Sequence, residues 1–181
     1  MIKIGNVIYA KHATISIPGG FSGRVILSGG YRSWYQNGKL HRENGPAIIY
    51  PSGLKEWYRN GKWHREDGPA VIYADGKKYW YQNDHLHRDD GPAVIDPGGL
   101  KKWYQNGKKH REDGPAVIWP NGTKVWYWNG ETHREDGPTV IDPNGRKEWH
   151  QNGKKHRKDG PAVIKPDGAR EWWKNGELMR G

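Results

Sequence analysis

Six histidines in this chain are each followed by an arginine: His41-Arg42, His64-Arg65, His87-Arg88, His110-Arg111, His133-Arg134 and His156-Arg157. Two residues beyond the arginine stand Asp67, Asp90, Asp113, Asp136 and Asp159, with Asn44 in the first copy. Imidazole beside carboxylate is the pairing that general acid–base catalysis uses, and imidazole is also a common metal ligand. Multiplicity argues against both uses. A catalytic centre needs one pocket, whereas a constellation present in every unit serves to hold units together. Sheet units about 10 Å apart cannot bring two imidazoles within bonding reach of one ion, about 2 Å. Only His85 and His87, two apart on one strand face, form a pair worth testing for a metal. No metal and no other cofactor is expected, and an enzyme is the least favoured class because no polar constellation is unique.

The array is carried by a repeat. The tract Trp-Tyr-x-Asn-Gly-x-x-His-Arg-x-Asp-Gly-Pro-Ala recurs with its tryptophans at Trp34, Trp57, Trp80, Trp103, Trp126, Trp149 and Trp172, a step of 23 residues each time. A fixed short period without insertions means one supersecondary unit stacked in register. The spacing predicts a half repeat at 23–33, six full repeats at 34–171 and a partial one at 172–181, preceded by a capping segment at 1–22 with the alternation Ile2, Ile4. Lys3 is not followed by a long apolar run, so this segment does not read as a signal peptide.

Each repeat reads as all-β. Asn60-Gly61 predicts a two-residue type I′ turn, because both turn residues need positive φ. That turn sets Arg59 opposite Lys62, Tyr58 opposite Trp63, Trp57 opposite His64 and Glu56 opposite Arg65, with Trp and His on one face and Tyr and Arg on the other. A second hairpin follows: Ala70-Val71-Ile72-Tyr73 as a strand, a Gly-bearing three-residue turn such as Asp75-Gly76 or Pro120-Asn121-Gly122, and Lys77-Lys78-Tyr79 returning to Trp80. The fold expected is an elongated repeat rod, a single-layer antiparallel sheet of stacked β-hairpins, on the order of 60 Å long at about two strands per repeat. The residue opposite each arginine varies from copy to copy, so each arginine is expected to bind a repeat aspartate of its own or an adjacent unit.

Composition fits a solvated repeat. Hydrophobic residues make up 33% and mean hydropathy is −1.09, while eleven Trp and ten Tyr argue against disorder. There is no cysteine, which suits a reducing compartment, and a cytoplasmic location is expected. The net charge of +10 admits acidic partners. The basic residues alternate with Asp and Glu along the chain, which favours a solubilised surface over a dedicated polyanion track.

The period, the aromatic-x-Asn-Gly-Lys-x-His core in Tyr35-Gln36-Asn37-Gly38-Lys39-Leu40-His41 and the second turn at Pro120-Asn121-Gly122 resemble the MORN-repeat family. The closest look is to the MORN-like variants of bacterial and phage proteins, some of them antitoxin-like. About four fifths of the chain is covered. His41 is followed by Arg42-Glu43-Asn44-Gly45-Pro46 where MORN repeats have His-Gly-x-Gly. The resemblance implies a non-enzymatic scaffold or binding surface, in some members at membranes or as a homodimer, and here one that neutralises a toxin or host defence protein.

Function is expected where copies differ. Surplus aromatics stand at Trp63, Trp119, Trp128 and Trp173, and His85 is added in the repeat that replaces Asn-Gly by Asn83-Asp84. Tryptophans on a rigid sheet make good anchors for a protein partner. Filling gaps between hairpins is the equally weighted alternative. The rival class is nucleic-acid binding through basic charge and regularly spaced aromatics. An acidic membrane surface ranks third, and a membrane partner is disfavoured. An unpaired strand at 172–181 invites homodimerisation.

Overall fold

The computed structural model describes residues 2–11 and 16–179. The parts of the expected cap and partial repeat at 1, 12–15 and 180–181 lie outside the described residues. The described chain is all-β, and no helix is long and apolar enough to cross a membrane. It divides into two compact units, 1–87 and 88–181.

In the first unit the Asn-Gly hairpins form as expected. Asn60 and Gly61 have φ of 53° and 84°, and the strands Tyr58–Arg59 and Lys62–Trp63 pair Tyr58 with Trp63 and Arg59 with Lys62. Asn83-Asp84 makes the same turn with φ of 50° and 69°, so Asp84 occupies a left-handed position that glycine fills elsewhere. Its carboxylate repays the strain locally, accepting the Trp63 N–H at 2.8 Å.

The second hairpin of each repeat is shorter than the sequence suggests. Only Val71–Ile72 is strand, and it pairs with Lys78–Tyr79 across the Ala74-Asp75-Gly76 loop. Tyr73 N–H donates to Lys77 O and Gly76 N–H to Tyr73 O, with Gly76 at φ 89°. On its other edge Val71–Ile72 pairs with Lys55–Glu56 of the preceding hairpin, so the meander continues from copy to copy.

Two expectations of register are corrected. Glu56 does not face Arg65: it pairs with Ile48 and Val71, while the Arg65 N–H bonds the Tyr81 carbonyl of the next copy. The chain leaves its own hairpin after His64, whose N–H still reaches Trp57 O at 3.2 Å. Face alternation therefore stops there, and the Arg65 side chain turns back onto Trp57 instead of joining Tyr58.

The N-terminal segment also differs in detail. Ile2–Ile4 and Val7–Ala10 form a hairpin, but Ile2 and Ile4 are 65% and 66% exposed, so their alternation points to solvent. Burial falls to Ile8, which packs with Phe21 and Val25. Val7–Ala10 runs parallel to Gly23–Leu27, while its pairing with Ile2–Ile4 is antiparallel. Gly23 is required at this junction, since a Cβ there would lie 2.1 Å from Asn6 O.

The second unit repeats the pattern. Its inner rungs are Val94, Val117 and Val163, each at most 7% exposed, and burying one such side chain contributes about 1.5–3 kcal/mol. Ala93, Ala116, Thr139 and Ala162 are fully buried. Trp103 N–H bonds Ala116 O and Trp149 N–H bonds Ala162 O, tying the start of each hairpin to the loop that follows it.

Candidate recognition grooves

The His-Arg-x-Asp-Gly-Pro loop is built around its arginine. In the second unit the Arg111 guanidinium lies 4.3 Å from the Trp103 ring centre, and Arg134 and Arg157 lie 4.2 and 4.0 Å from Trp126 and Trp149. The first unit does the same with Arg42 on Trp34 and Arg65 on Trp57. The other side of the guanidinium rests on glycine: a Cβ on Gly114 or Gly137 would approach Arg Cζ to 3.1 or 3.0 Å. Nη1 donates to the following proline carbonyl, as from Arg65 to Pro69 O at 3.3 Å and from Arg134 to Pro138 O at 3.2 Å. Each loop is thus a sandwich of indole, guanidinium and glycine.

The aspartate is the weaker part of this device. Arg65, Arg88, Arg111 and Arg134 donate Nε to Asp67, Asp90, Asp113 and Asp136 of their own repeat at 2.8–3.0 Å. Those hydrogen bonds hold all four carboxyls below the usual aspartate value. Yet the carboxylates stand in solvent, Asp67 at 82% exposure, where ion pairs are screened. Two copies act as internal controls. Arg42 has Asn44 in place of the aspartate, and Arg157 makes no ion pair with Asp159, but both keep the ring stack and the bond to proline carbonyl. Stacking and the carbonyl bond are sufficient to set the loop.

The histidines are docking points for the next hairpin. The backbone N–H of Asn60, Asn129, Asn152 and Asn175 donates to Nδ1 of His41, His110, His133 and His156 at 3.1–3.4 Å. The same nitrogen of His41, His110 and His133 also lies 3.0–3.1 Å from the side-chain Oδ1 of that asparagine. His64 is the exception: its Nδ1 is buried without a partner, next to the turn where Asp84 replaces glycine. Among the described residues no three His, Asp or Glu side chains are placed to hold a metal ion.

Between successive loops lie grooves with a shared frame. One, in the first unit, is lined by Arg42, Asn44, Trp57, Arg59, Arg65 and Asp67. Two lie in the second unit. The first has loops 88–92 and 110–113 as walls with Trp103 and Gln105 between, and the next has loops 111–115 and 133–136 with Trp126, Tyr127 and Trp128. Frame residues recur, but the hairpin residue between the walls changes: Arg59, Gln105, Trp128. Arg59 is engaged with Glu66 at 3.1 Å, whereas Trp128 is 45% exposed with its ring 4.4 Å from His110.

The structure separates the surplus aromatics. Trp63 is half-buried between Tyr58 and Tyr81, ring centres 5.7 and 5.2 Å away, with its indole N–H buried on the side of the Glu56 carboxyl. Trp173 is half-buried under Lys155 and donates Nε1 to Glu171 at 3.0 Å. Trp119 is 44% exposed with Lys102 over its ring, and His85 is exposed with Nδ1 against Asn83 O at 2.9 Å. At the partial repeat Trp172, Leu178 and Met179 are exposed.

A cluster not singled out from sequence sits at Glu56. This carboxyl is buried, its pKa raised by that burial and drawn back by hydrogen bonds led by Tyr58, whose hydroxyl lies 3.3 Å away. Burial also pushes Tyr50 up to about 12. The signal available in the sequence was a carboxylate at the position held by Ser33 and Val125 in other copies.

No family model matches this chain, and no curated protein matches it. The likeness to MORN repeats therefore stands on the residues of the repeat.

Proposed function

We propose that this chain is a non-enzymatic binding protein whose repeat frame presents Trp119 and Trp128 to a protein partner. One observation carries the reading: the recurring loop arginines are engaged within their own copies, while these two indoles stand about half exposed at positions that change between copies. Where Trp119 stands, other copies have Tyr50, Tyr73, Asp96, Asp142 and Lys165. Rigidly mounted indoles lose little entropy on contact, which is why they anchor interfaces. The groove beside Trp128 adds Glu112 and Glu135, so a partner bearing a basic side chain fits it. The antitoxin-like resemblance supports the narrower reading that the partner is a toxin or host defence factor.

The test is chemical cross-linking and affinity capture by the intact chain and by a Trp119→Ala/Trp128→Ala variant, both nuclease-treated. Loss of a defined protein from the variant, with unchanged circular dichroism, is the expected result. An identical capture profile from both chains would sink the proposal. For the narrower reading, co-expression should relieve growth arrest by the captured protein.

A further inference from the structure

The sheet register collects a row of cations that the linear order of charges conceals. The residue two places before each repeat tryptophan is basic in every copy: Arg32, Lys55, Lys78, Lys101, Lys124, Lys147 and Arg170. In the second unit the cross-strand neighbours run Lys101, Ile118, Lys124, Ile141, Lys147, Ile164, Arg170 without interruption. Directly paired residues share a sheet face, so four cations line one face with an isoleucine between each pair. The first unit has the same order, Arg32, Ile49, Lys55, Ile72, Lys78. The residue following each of these cations pairs into the buried valine row, which places the cations on the opposite, solvent side. All are exposed.

None of these cations takes part in an ion pair among the described residues. The carboxylates are engaged elsewhere, Asp113 and Asp136 by their loop arginines and Glu171 by Lys165. The rungs repeat every second strand, about 10 Å apart. The isoleucines between them offer no hydrogen-bonding group, so the row can attract charge but cannot read bases or side chains.

We propose that this row binds the phosphodiester backbone of single-stranded nucleic acid without regard to sequence. Charge complementarity identifies the occupant: a chain with net charge +10 offers, within each unit, a row of cations that no ion pair compensates. A single strand carries an anion at every link and is flexible enough to straighten along the row. A duplex winds its phosphates around its axis, whereas the rungs stay on one sheet face. An acidic protein segment would need a carboxylate at every rung, whereas nucleic acid supplies a phosphate there whatever its sequence. Lysine dominates the row, and its compact charge on a flexible stem suits phosphates that need no fixed geometry.

The test is fluorescence anisotropy of a labelled oligothymidylate of about thirty nucleotides with the full chain, against salt. Each phosphate neutralised contributes about −0.7 to the slope of log affinity on log salt, so the four cations of the second unit give about −2.8. Affinity should then fall about 50-fold between 50 and 200 mM salt. Lys101→Gln/Lys124→Gln/Lys147→Gln/Arg170→Gln should cost at least about tenfold at low salt and flatten the slope. Removing equal charge off the row, as Lys62→Gln/Lys108→Gln/Lys154→Gln/Lys174→Gln, should cost less than about threefold. The proposal is overturned by absence of binding at 50 mM salt, by equal losses in the two variants, or by a duplex that binds as tightly. It is also overturned if the row variant loses flotation with phosphatidylserine vesicles while the intact chain ignores the oligonucleotide. Trp119→Ala/Trp128→Ala should leave oligonucleotide affinity unchanged, so the outcome is independent of the protein-binding reading.

Discussion

Thr139 Oγ1 lies 2.7 Å from His150 Nδ1 and also donates to Glu148 O at 3.0 Å. The two residues depart from the repeat in adjacent copies, Thr139 where other copies have Ala, as at Ala116, and His150 where the preceding copies have Tyr, as at Tyr127. Thr139 is fully buried, and the paired change satisfies a hydroxyl and an imidazole that would each be costly alone. Thr139→Ala should destabilise the protein by about 1–3 kcal/mol. Thr139→Ala/His150→Tyr should recover most of that loss, giving a coupling energy of about 0.5–3 kcal/mol in a thermal-denaturation cycle. Additive single effects would refute the pairing.

The same histidine predicts an acid response. Burial lowers the His150 pKa below its ordinary 6.5, with Lys155 adding to the shift and Glu148 opposing it. The unfolded chain therefore binds the proton more readily, so this contribution to stability is present above pH 6.5 and lost as pH falls toward the lowered value. The melting temperature of the intact chain should drop between pH 7 and pH 5. In Thr139→Ala/His150→Tyr that drop should be smaller, and an identical pH profile would remove His150 as its cause.

The loop sandwich makes a prediction about rank. Gly114→Ala places a methyl 3.1 Å from the Arg111 guanidinium carbon and should cost about 1–3 kcal/mol by overpacking. Arg111→Lys should also lower the melting temperature, because an ammonium reproduces neither the planar stack nor the carbonyl bond. Asp113→Asn should leave it nearly unchanged, following the copy that carries Asn44. A larger effect at Asp113 than at Gly114 would reverse the roles assigned to them.

Glu56 offers a test at the buried row. Its pKa is raised by burial, so the folded chain holds that proton more tightly than the unfolded chain, and stability from this group falls as pH rises through the raised value. Glu56→Gln keeps an acceptor for the Tyr58 hydroxyl and removes the buried charge. The variant should melt higher than the parent at pH 7, with the difference vanishing at pH 4; the reverse order would show that the charge is stabilising.

What could be read from the residues was whatever is encoded within a few positions. Asn60-Gly61 states its turn because only certain residues tolerate positive φ, and the turn then fixes Tyr58 against Trp63. Arg65 could not be placed in the same way. Its partner ring, Trp57, lies on its own hairpin, but its backbone bond goes to Tyr81 in the next copy, a long-range contact that breaks the alternation. The cation row was hidden for a related reason. Along the chain Lys101 is followed by a second lysine and Lys147 by Glu148, so charge looks mixed, while pairing through Ile118 and Ile141 sorts like with like. Comparing equivalent positions across copies, with charge as the criterion, would have exposed it. Trp119 and Trp128 could be singled out as unusual, but exposure depends on neighbours, and Trp63 is equally unusual in sequence yet packed between two tyrosines.

Each loop is held by a ring, a glycine and a carbonyl from its own copy, and its histidine by the adjoining turn. A stretch such as residues 103–125 could therefore be excised and the ends rejoined with the recurring braces restored. Length is then a quantity that duplication or loss can adjust in steps of one copy, leaving the architecture of the survivors intact.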